Sequence, residues 1–462
     1  MMSLVPSTQV LPLLVWTPLM LALCPALGAR RVVLGALILG WLLLPQAYFD
    51  LPGLPMLTKP AAVAIAAVCC LCAFDLHTLA TFRPRWFDLP VLVFCLVPFA
   101  SSISNGLGAW DGQTPAFDHT ARWAVPYLVG RLYGRTPEGR RDIVRVLILG
   151  GLVYVPLCLF EIRMSPQLHR MVYGYFPHQF GQTVRWGGWR PTVFLDHGLA
   201  VGIFMSAIAV VLVWLAASGV SRTVFGLRTG WCAAVVVVVS VLCKSSGAIV
   251  LMLLALAALF AGRLLRTRIP IVALLLFAPI YVTLRAPNLW SGESMVEVAR
   301  AVEQERGDSL EMRLRSENAL VEKALEQPVF GWGGWGRNRV EDDDEGRKVV
   351  TDGLWIIVLG KYGAVGLLAL LGMLVLAPVR YARTLPVSLY THPAFAEGPA
   401  LMAVVALYAA DAVFNAFPSP CATLACGTLG SAALALPSDV ALLQQRLRRL
   451  MAARATPGEV PA

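Results

Sequence analysis

An aspartate, Asp352, stands at the lip of an apolar run long enough to cross a bilayer, in the stretch VVTDGLWIIVLGKYGAVGLLALL. A charge inside an apolar run is costly and usually marks function, whereas an acid at the start of a helix can simply favour the positive end of its dipole; Asp352 lies between these cases. Upstream, GDSLEMRLRSENALVEKALEQP reads as a helix. DSLE at 308–311 fits a capping box with Asp308 as N-cap, and Pro328 stops the helix. At about 100° per residue, Leu310, Leu314, Leu320, Val321, Ala324 and Leu325 share one stripe. Arg313 and Glu317 fall inside that stripe, whereas Arg315 lies on the opposite face and reads as solvated. An arginine turned inward either pairs with Glu317 one turn on, or offers a fixed guanidinium to a phosphate or carboxylate.

Two further stretches carry candidate chemistry. VFGWGGWGRNRV, containing Trp332, Trp335 and Asn338, sets four glycines around two tryptophans and predicts a backbone that turns tightly and approaches something closely. Its indoles can stack on sugar rings or lie in the membrane interface. RWGGWRPTVFLDHG places Arg190 at a water–lipid boundary, with Pro191 expected to begin a helix and Asp196 and His197 within its first two turns. The plain reading of Arg190 is an interfacial anchor. The acids EDDDE at 341–345 read as a solvated run rather than a metal site.

The elements that must position these residues follow from composition. Of 462 residues 57% are hydrophobic and only 14% charged, against about 25% charged in soluble domains. The expected fold class is therefore all-α, a polytopic transmembrane helical bundle of about 12–13 spans with a large, partly helical extracytoplasmic loop. Candidate spans lie near 10–28, 32–48, 60–80, 88–104, 118–134, 142–162, 192–216, 230–245, 247–264, 268–284, 352–378, 398–416 and 421–438. The span at 118–134 is the weakest, because it contains Arg122 and Pro126. The first run reads as a span, not a removable signal peptide. Seven basic loops, among them GARRVV, GRTPEGRRDIVR and GRLLRTR, fall on one side of this map. The positive-inside rule makes that side cytoplasmic. The chain thus divides into N-terminal helices (1–162), an outward segment (163–191), central helices (192–284), a large outward loop (285–350), C-terminal helices (351–440) and a cytoplasmic tail (441–462). The net charge of +10 sits mostly in the short loops and is not a nucleic-acid footprint. The ten cysteines lie in or beside apolar runs and support neither disulfides nor a metal site. Arg122, Lys244, Lys361, Asp411 and Asn415 are polar groups at membrane depth, either helix–helix glue or parts of a substrate path.

In order, the outward pieces are an arginine before a helix start (WRPTVFLDH), an arginine fifteen residues before P-x-x-G-x-G (PVFGWG), and a polar residue opening L-x-x-x-G-x-x-G. This arrangement resembles the O-antigen ligase and polymerase superfamily of bacterial envelope glycosyltransferases, over roughly residues 185–380. The resemblance implies an inner-membrane enzyme that passes a glycan from undecaprenyl diphosphate to an acceptor hydroxyl on a glycan or lipid. It implies no metal or other cofactor and an active site facing the periplasm. It assigns Arg190 and Arg313 to the diphosphate and Asp352 to the catalytic position, with Arg122, His197, Arg315, Glu317, Trp335 and Asn338 as candidate supporting residues. At Asp352 the ligases usually carry a histidine, in a pattern like H-N-x-x-L; TDGLW departs from it, which weakens the ligase reading more than the superfamily reading. Two other classes have the same gross features: a flippase for lipid-linked sugars, and a non-catalytic component of a polysaccharide export system. Transporters are often built from repeated halves, and no internal repeat is visible here.

Overall fold

The computed structural model describes residues 7–50, 53, 55–220, 222–287, 289–302, 304–340, 349 and 352–455. It is an all-α helical bundle, 75% helical, and three two-residue hairpins are its only strands among the described residues. Among the described residues eight helices are long and apolar enough to cross a membrane: Thr8–Leu27, Trp86–Ser104, Pro137–Met164, Gly198–Ala217, Ser246–Leu264, Leu354–Thr384, Glu397–Phe414 and Pro420–Leu443. Lys59–Phe74, Thr229–Leu242 and Ile269–Arg285 are shorter apolar helices. By length and composition this is the architecture of a multi-pass membrane protein.

Gly198–Ala217 and Glu397–Phe414 are buried nearly throughout and form the centre of the bundle. Their sequences are apolar on every face, as a helix surrounded by helices requires. Contacts between loops gather at the two ends of the helices. On the basic face Arg30 pairs with Asp142 at 2.7 Å, Arg131 with Asp88 at 2.7 Å, and Arg140 with Asp439 at 2.9 Å. At the other ends of the helices Lys59 donates to the Phe194 carbonyl at 2.8 Å, and Asn105 to the Gly331 carbonyl at 2.7 Å.

Several sequence expectations need correction. The predicted span at 118–134 belongs to a continuous helical stretch that starts earlier, with Gly108–His119 and Val125–Tyr133 joined by a π-helical turn, Thr120–Ala124. Pro126 directly follows the π-helical turn, which widens the backbone where a residue without an N–H interrupts the ladder. Pro191 does not begin a helix; the helix starts at Gly198, and the His197 ring caps it by accepting from the Leu199 N–H at 3.0 Å. The loop helix spans Gln304–Leu325 and follows a shorter helix, Glu293–Val302. Asp308 is therefore inside the helix, paired with Arg300 at 3.1 Å, and is not its N-cap. The last helix runs Pro420–Ala455 and so continues into the segment read as the tail. The acids at 341–345 and residues 456–462 lie outside the described residues.

The helix Leu354–Thr384 is interrupted. Gly363 adopts φ 61°, ψ −162°, which breaks the helical hydrogen-bond ladder in its first third. The segment 328–333 fills the break with its own backbone. Trp332 N donates to the Gly360 carbonyl and Gly333 N to the Lys361 carbonyl, both at 2.9 Å. Ala364 N donates to the Pro328 carbonyl at 2.8 Å. A Cβ on Gly363 would stand 2.4 Å from the Val329 backbone, and one on Gly331 would stand 2.5 Å from Lys361. The glycines of both stretches thus serve one backbone-to-backbone contact. What Gly363 admits is thus a loop.

Candidate active site

Arg313 is delivered by the Gln304–Leu325 helix, whose apolar stripe buries Leu314, Leu320, Val321 and Ala324 against the bundle. Leu325, at the end of the stripe, is exposed. The Arg313 guanidinium reaches two groups. Its Nε lies 3.3 Å from Asp352 Oδ2, and its Nη1 donates to the Phe414 carbonyl at 3.4 Å. Phe414 is the last residue of its helix, so the arginine sits at the negative end of a helix dipole. Three elements meet there: the loop helix, the segment entering the broken helix, and the end of the central helix. Leu354 N donating to the Asn415 carbonyl at 3.2 Å ties the last two together.

The cleft beside this pair is lined by Leu310, Arg313, Leu314, Glu317, Asp352 and Phe414, and its enclosed volume is about 10 Å³. That is room for about one water. Asp352 and Arg313 are each more than one-third exposed, 36% and 40% for their side chains. An ion pair so exposed contributes about 1 kcal/mol or less. A multiply charged anion can therefore displace Asp352 from Arg313 and in doing so release the carboxylate.

Glu317 does not pair with Arg313, as its position one turn on allowed. It is buried, accepts a hydrogen bond from the Tyr281 hydroxyl at 2.8 Å and lies 3.5 Å from Arg285 Nε. Burial pushes its carboxyl above the ordinary glutamate value, opposed by the Tyr281 hydrogen bond and the Arg285 charge. Sequence reasoning missed Arg285. It is 2% exposed and donates to the Leu314 carbonyl at 3.2 Å, Asn318 Oδ1 at 2.7 Å and the Trp290 carbonyl at 2.9 Å. It closes an apolar run and locks the loop helix one turn from Arg313.

Arg190 makes its contact elsewhere. It is 7% exposed, its Nη2 donates to the Lys244 carbonyl at 3.0 Å, and its buried Nε has no hydrogen-bond partner. Burial, then the Arg185 charge, holds it down to about 10. Lys244, expected at membrane depth, occupies the turn between two helices with φ 53° and directs its Nζ towards the Trp186 carbonyl, 3.5 Å away. The Arg190 loop is shaped by Glu161, a second residue the sequence did not flag. Its Oε2 accepts from Thr192 N and Val193 N, both at 2.8 Å, and holds Val193 at φ 51°, a strained value for a β-branched residue. A charged residue closing a long apolar helix was the only available signal.

The two arginine regions join through the short turn after the central helix. Phe414 accepts from Arg313, and Phe417, three residues on, stacks on the His197 ring at 5.2 Å between centroids. Of the candidate supporting residues, Arg122 pairs with Asp118 at 2.7 Å. Arg315 is exposed on the far face and pairs with Glu311. Trp335 is 82% exposed and donates to the Asp111 carboxylate at 3.0 Å. Asn338 is buried against Gly360, with its carbonyl oxygen unpartnered. Among the described residues no cluster of three or more His, Cys, Asp or Glu is placed to hold a metal ion.

Neither the protein-family models nor the curated proteins compared with this chain match it. The functional reading therefore rests on the residues and their geometry.

Proposed function

We propose that this protein is a membrane glycosyltransferase of the O-antigen ligase and polymerase type, moving a glycan from undecaprenyl diphosphate to an acceptor hydroxyl on the periplasmic side of the inner membrane. The observation that carries the reading is the Arg313–Asp352 pair, a fixed guanidinium and a carboxylate at one junction of three elements. The buried Arg190, with a donor left over, supports it. An unpaired buried donor is costly, and an anion is the group that would satisfy it.

In the proposed reaction the donor diphosphate takes Asp352's place on Arg313, with Arg190 as the second cation. Guanidinium suits this role because it meets phosphate oxygens with two parallel hydrogen bonds. The freed Asp352 carboxylate accepts the proton of the acceptor hydroxyl. The acceptor oxygen forms the bond to the anomeric carbon, the bond from that carbon to the phosphate oxygen breaks, and undecaprenyl diphosphate leaves with the electron pair. The leaving group is anionic, so fixed positive charge is the main requirement of the step.

Asp352→Asn and Arg313→Ala are each expected to abolish glycan transfer while the protein still inserts. Normal glycan length and yield in both would overturn the site. The flippase reading has one favouring observation, the break at Gly363, since transporters use discontinuous helices at their sites. The side on which lipid-linked donor accumulates in a deletion strain separates the two: periplasmic for the transferase, cytoplasmic for the flippase.

A further inference from the structure

A cavity of about 860 Å³ opens at the other end of the bundle, on the face that carries the basic loops. It lies between the helices Ser7–Leu27, Ala29–Leu43 and Pro137–Met164, beside the hairpin Thr223–Val224/Leu227–Arg228. Its volume falls within the roughly 300–1,000 Å³ of ordinary ligand sites. The walls are aliphatic, among them Leu23, Leu39, Leu149 and Leu215, and the rim holds Arg31, Arg141 and Arg145 with Asp142 and Glu397. Three arginines against two carboxylates leave the rim net positive. Asp142 is already taken by Arg30 at 2.7 Å, with Arg145 3.6 Å away, and Arg141 lies 3.7 Å from Glu397. Arg31 makes no ion pair among the described residues, and the Arg145 side chain is 62% exposed. Gly35 keeps one wall open: a Cβ built there finds only Leu39 Cδ1, at 4.0 Å.

We propose that this cavity binds a phospholipid with an anionic phosphate headgroup, taken from the leaflet that bathes the basic face. A hydrocarbon chain fits the aliphatic walls and gains little from water-filled space. A phosphate at the rim meets the donors that Arg31 and Arg145 have to spare. The site is separate from the proposed active site and does not depend on it. Arg145 and Glu161, which shapes the Arg190 loop, are sixteen residues apart on one helix, or about 24 Å along its axis. The lipid would brace the loosely packed first helix, Ser7–Leu27, much of whose surface faces outward from the bundle.

The test is native mass spectrometry of the detergent-purified protein titrated with phosphatidylglycerol, phosphatidylcholine or undecaprenyl phosphate. The wild-type chain is expected to hold one phosphatidylglycerol that survives mild activation. Arg31→Ala/Arg145→Ala should weaken it by at least roughly tenfold. Gly35→Phe, which fills the aliphatic part without touching the rim, should weaken it as well. Unchanged elution and unfolding temperature of the variants without added lipid show that they fold. Equal affinity for phosphatidylcholine, tighter binding of undecaprenyl phosphate, or undiminished binding in both folded variants would overturn the proposal.

Discussion

Arg313 is held between a carboxylate and a helix-terminal carbonyl, both of which a phosphate can replace. Keeping its charge without the planar fork should therefore not suffice. Arg313→Lys is expected to insert normally and lose at least tenfold in transfer, because one fork-to-phosphate hydrogen bond to a charged group contributes about 1.5–3 kcal/mol. An in vitro transfer assay with purified lipid-linked donor checks this, and an unchanged rate would remove Arg313 from the diphosphate. His178 and His197, with ring centroids 6.0 Å apart, give the site a pH dependence. Burial lowers both to about 4, and for His197 the His178 and Arg190 charges add to it. Their folded values lie below the ordinary 6.5, so the folded loop binds fewer protons than the unfolded one. Its stability is complete above pH 6.5 and falls as pH drops towards 4. Amide protection factors across 174–197, taken relative to the intrinsic exchange rate at each pH, should therefore be lower at pH 5 than at pH 7, and the difference should shrink in His178→Gln/His197→Gln. Periodicity along one helix was enough to choose Arg313 over Arg315, since 100° per residue is a local rule. It could not choose between Glu317 and Asp352 as the partner. That depended on Arg285, which claims Glu317 from a neighbouring helix.

At the scale of elements, two devices place the site. The first is the Arg285–Glu317–Tyr281 cluster, which pins the loop helix to the helix Ile269–Arg285. Arg285→Leu leaves a buried carboxylate without its cation and should cost about 3–5 kcal/mol. Arg285→Leu/Glu317→Leu, which removes both charges, should recover most of that, as thermal unfolding in detergent would reveal. The second device is the break at Gly363, bridged by the loop at 328–333. Gly363→Ala meets both an unfavourable φ of 61° and the Val329 backbone 2.4 Å from the new Cβ. It should lower stability by about 1–3 kcal/mol and reduce transfer with it. Wild-type stability in that variant would mean that the break is not structurally required. The glycine clusters announced a close approach in the sequence. The partner of that approach was not legible, because hydrogen bonds between 328–333 and 360–365 join segments that only tertiary folding brings together.

For the whole molecule, the expected orientation makes a direct prediction. In a Cys72→Ser background, which removes the exposed native thiol, an impermeant maleimide should label Trp335→Cys in intact cells. Arg228→Cys, on the exposed hairpin of the basic face, should label only after permeabilisation. The reverse pattern would invert the map and place the Arg313–Asp352 pair in the cytoplasm. Arg30 meets Asp142 and Arg140 meets Asp439 at the end of the bundle that carries the basic loops, while Lys59 meets Phe194 at the other, so the labelling reads two separate ends.

The sequence by itself determined that the chain is an all-α bundle of apolar helices, because apolar length is a property of short stretches that needs no knowledge of neighbours. It did not determine the number of spans, since eight of the described helices, not 12–13, are long and apolar enough to cross. It also determined which face of the loop helix turns inward. At Asp308 and Pro191, read as helix starts, local signals competed with packing and lost: a preceding helix claimed Asp308, and Glu161 held the Thr192–Val193 backbone out of helical form. Only the tertiary structure decided that Arg313 meets Asp352, that Arg285 and Glu161 support the two arginine regions, and that a loop rather than a helix fills the space at Gly363. Each of these is a pairing between distant segments, and the energy that selects it comes from burying charge and backbone where water cannot satisfy them.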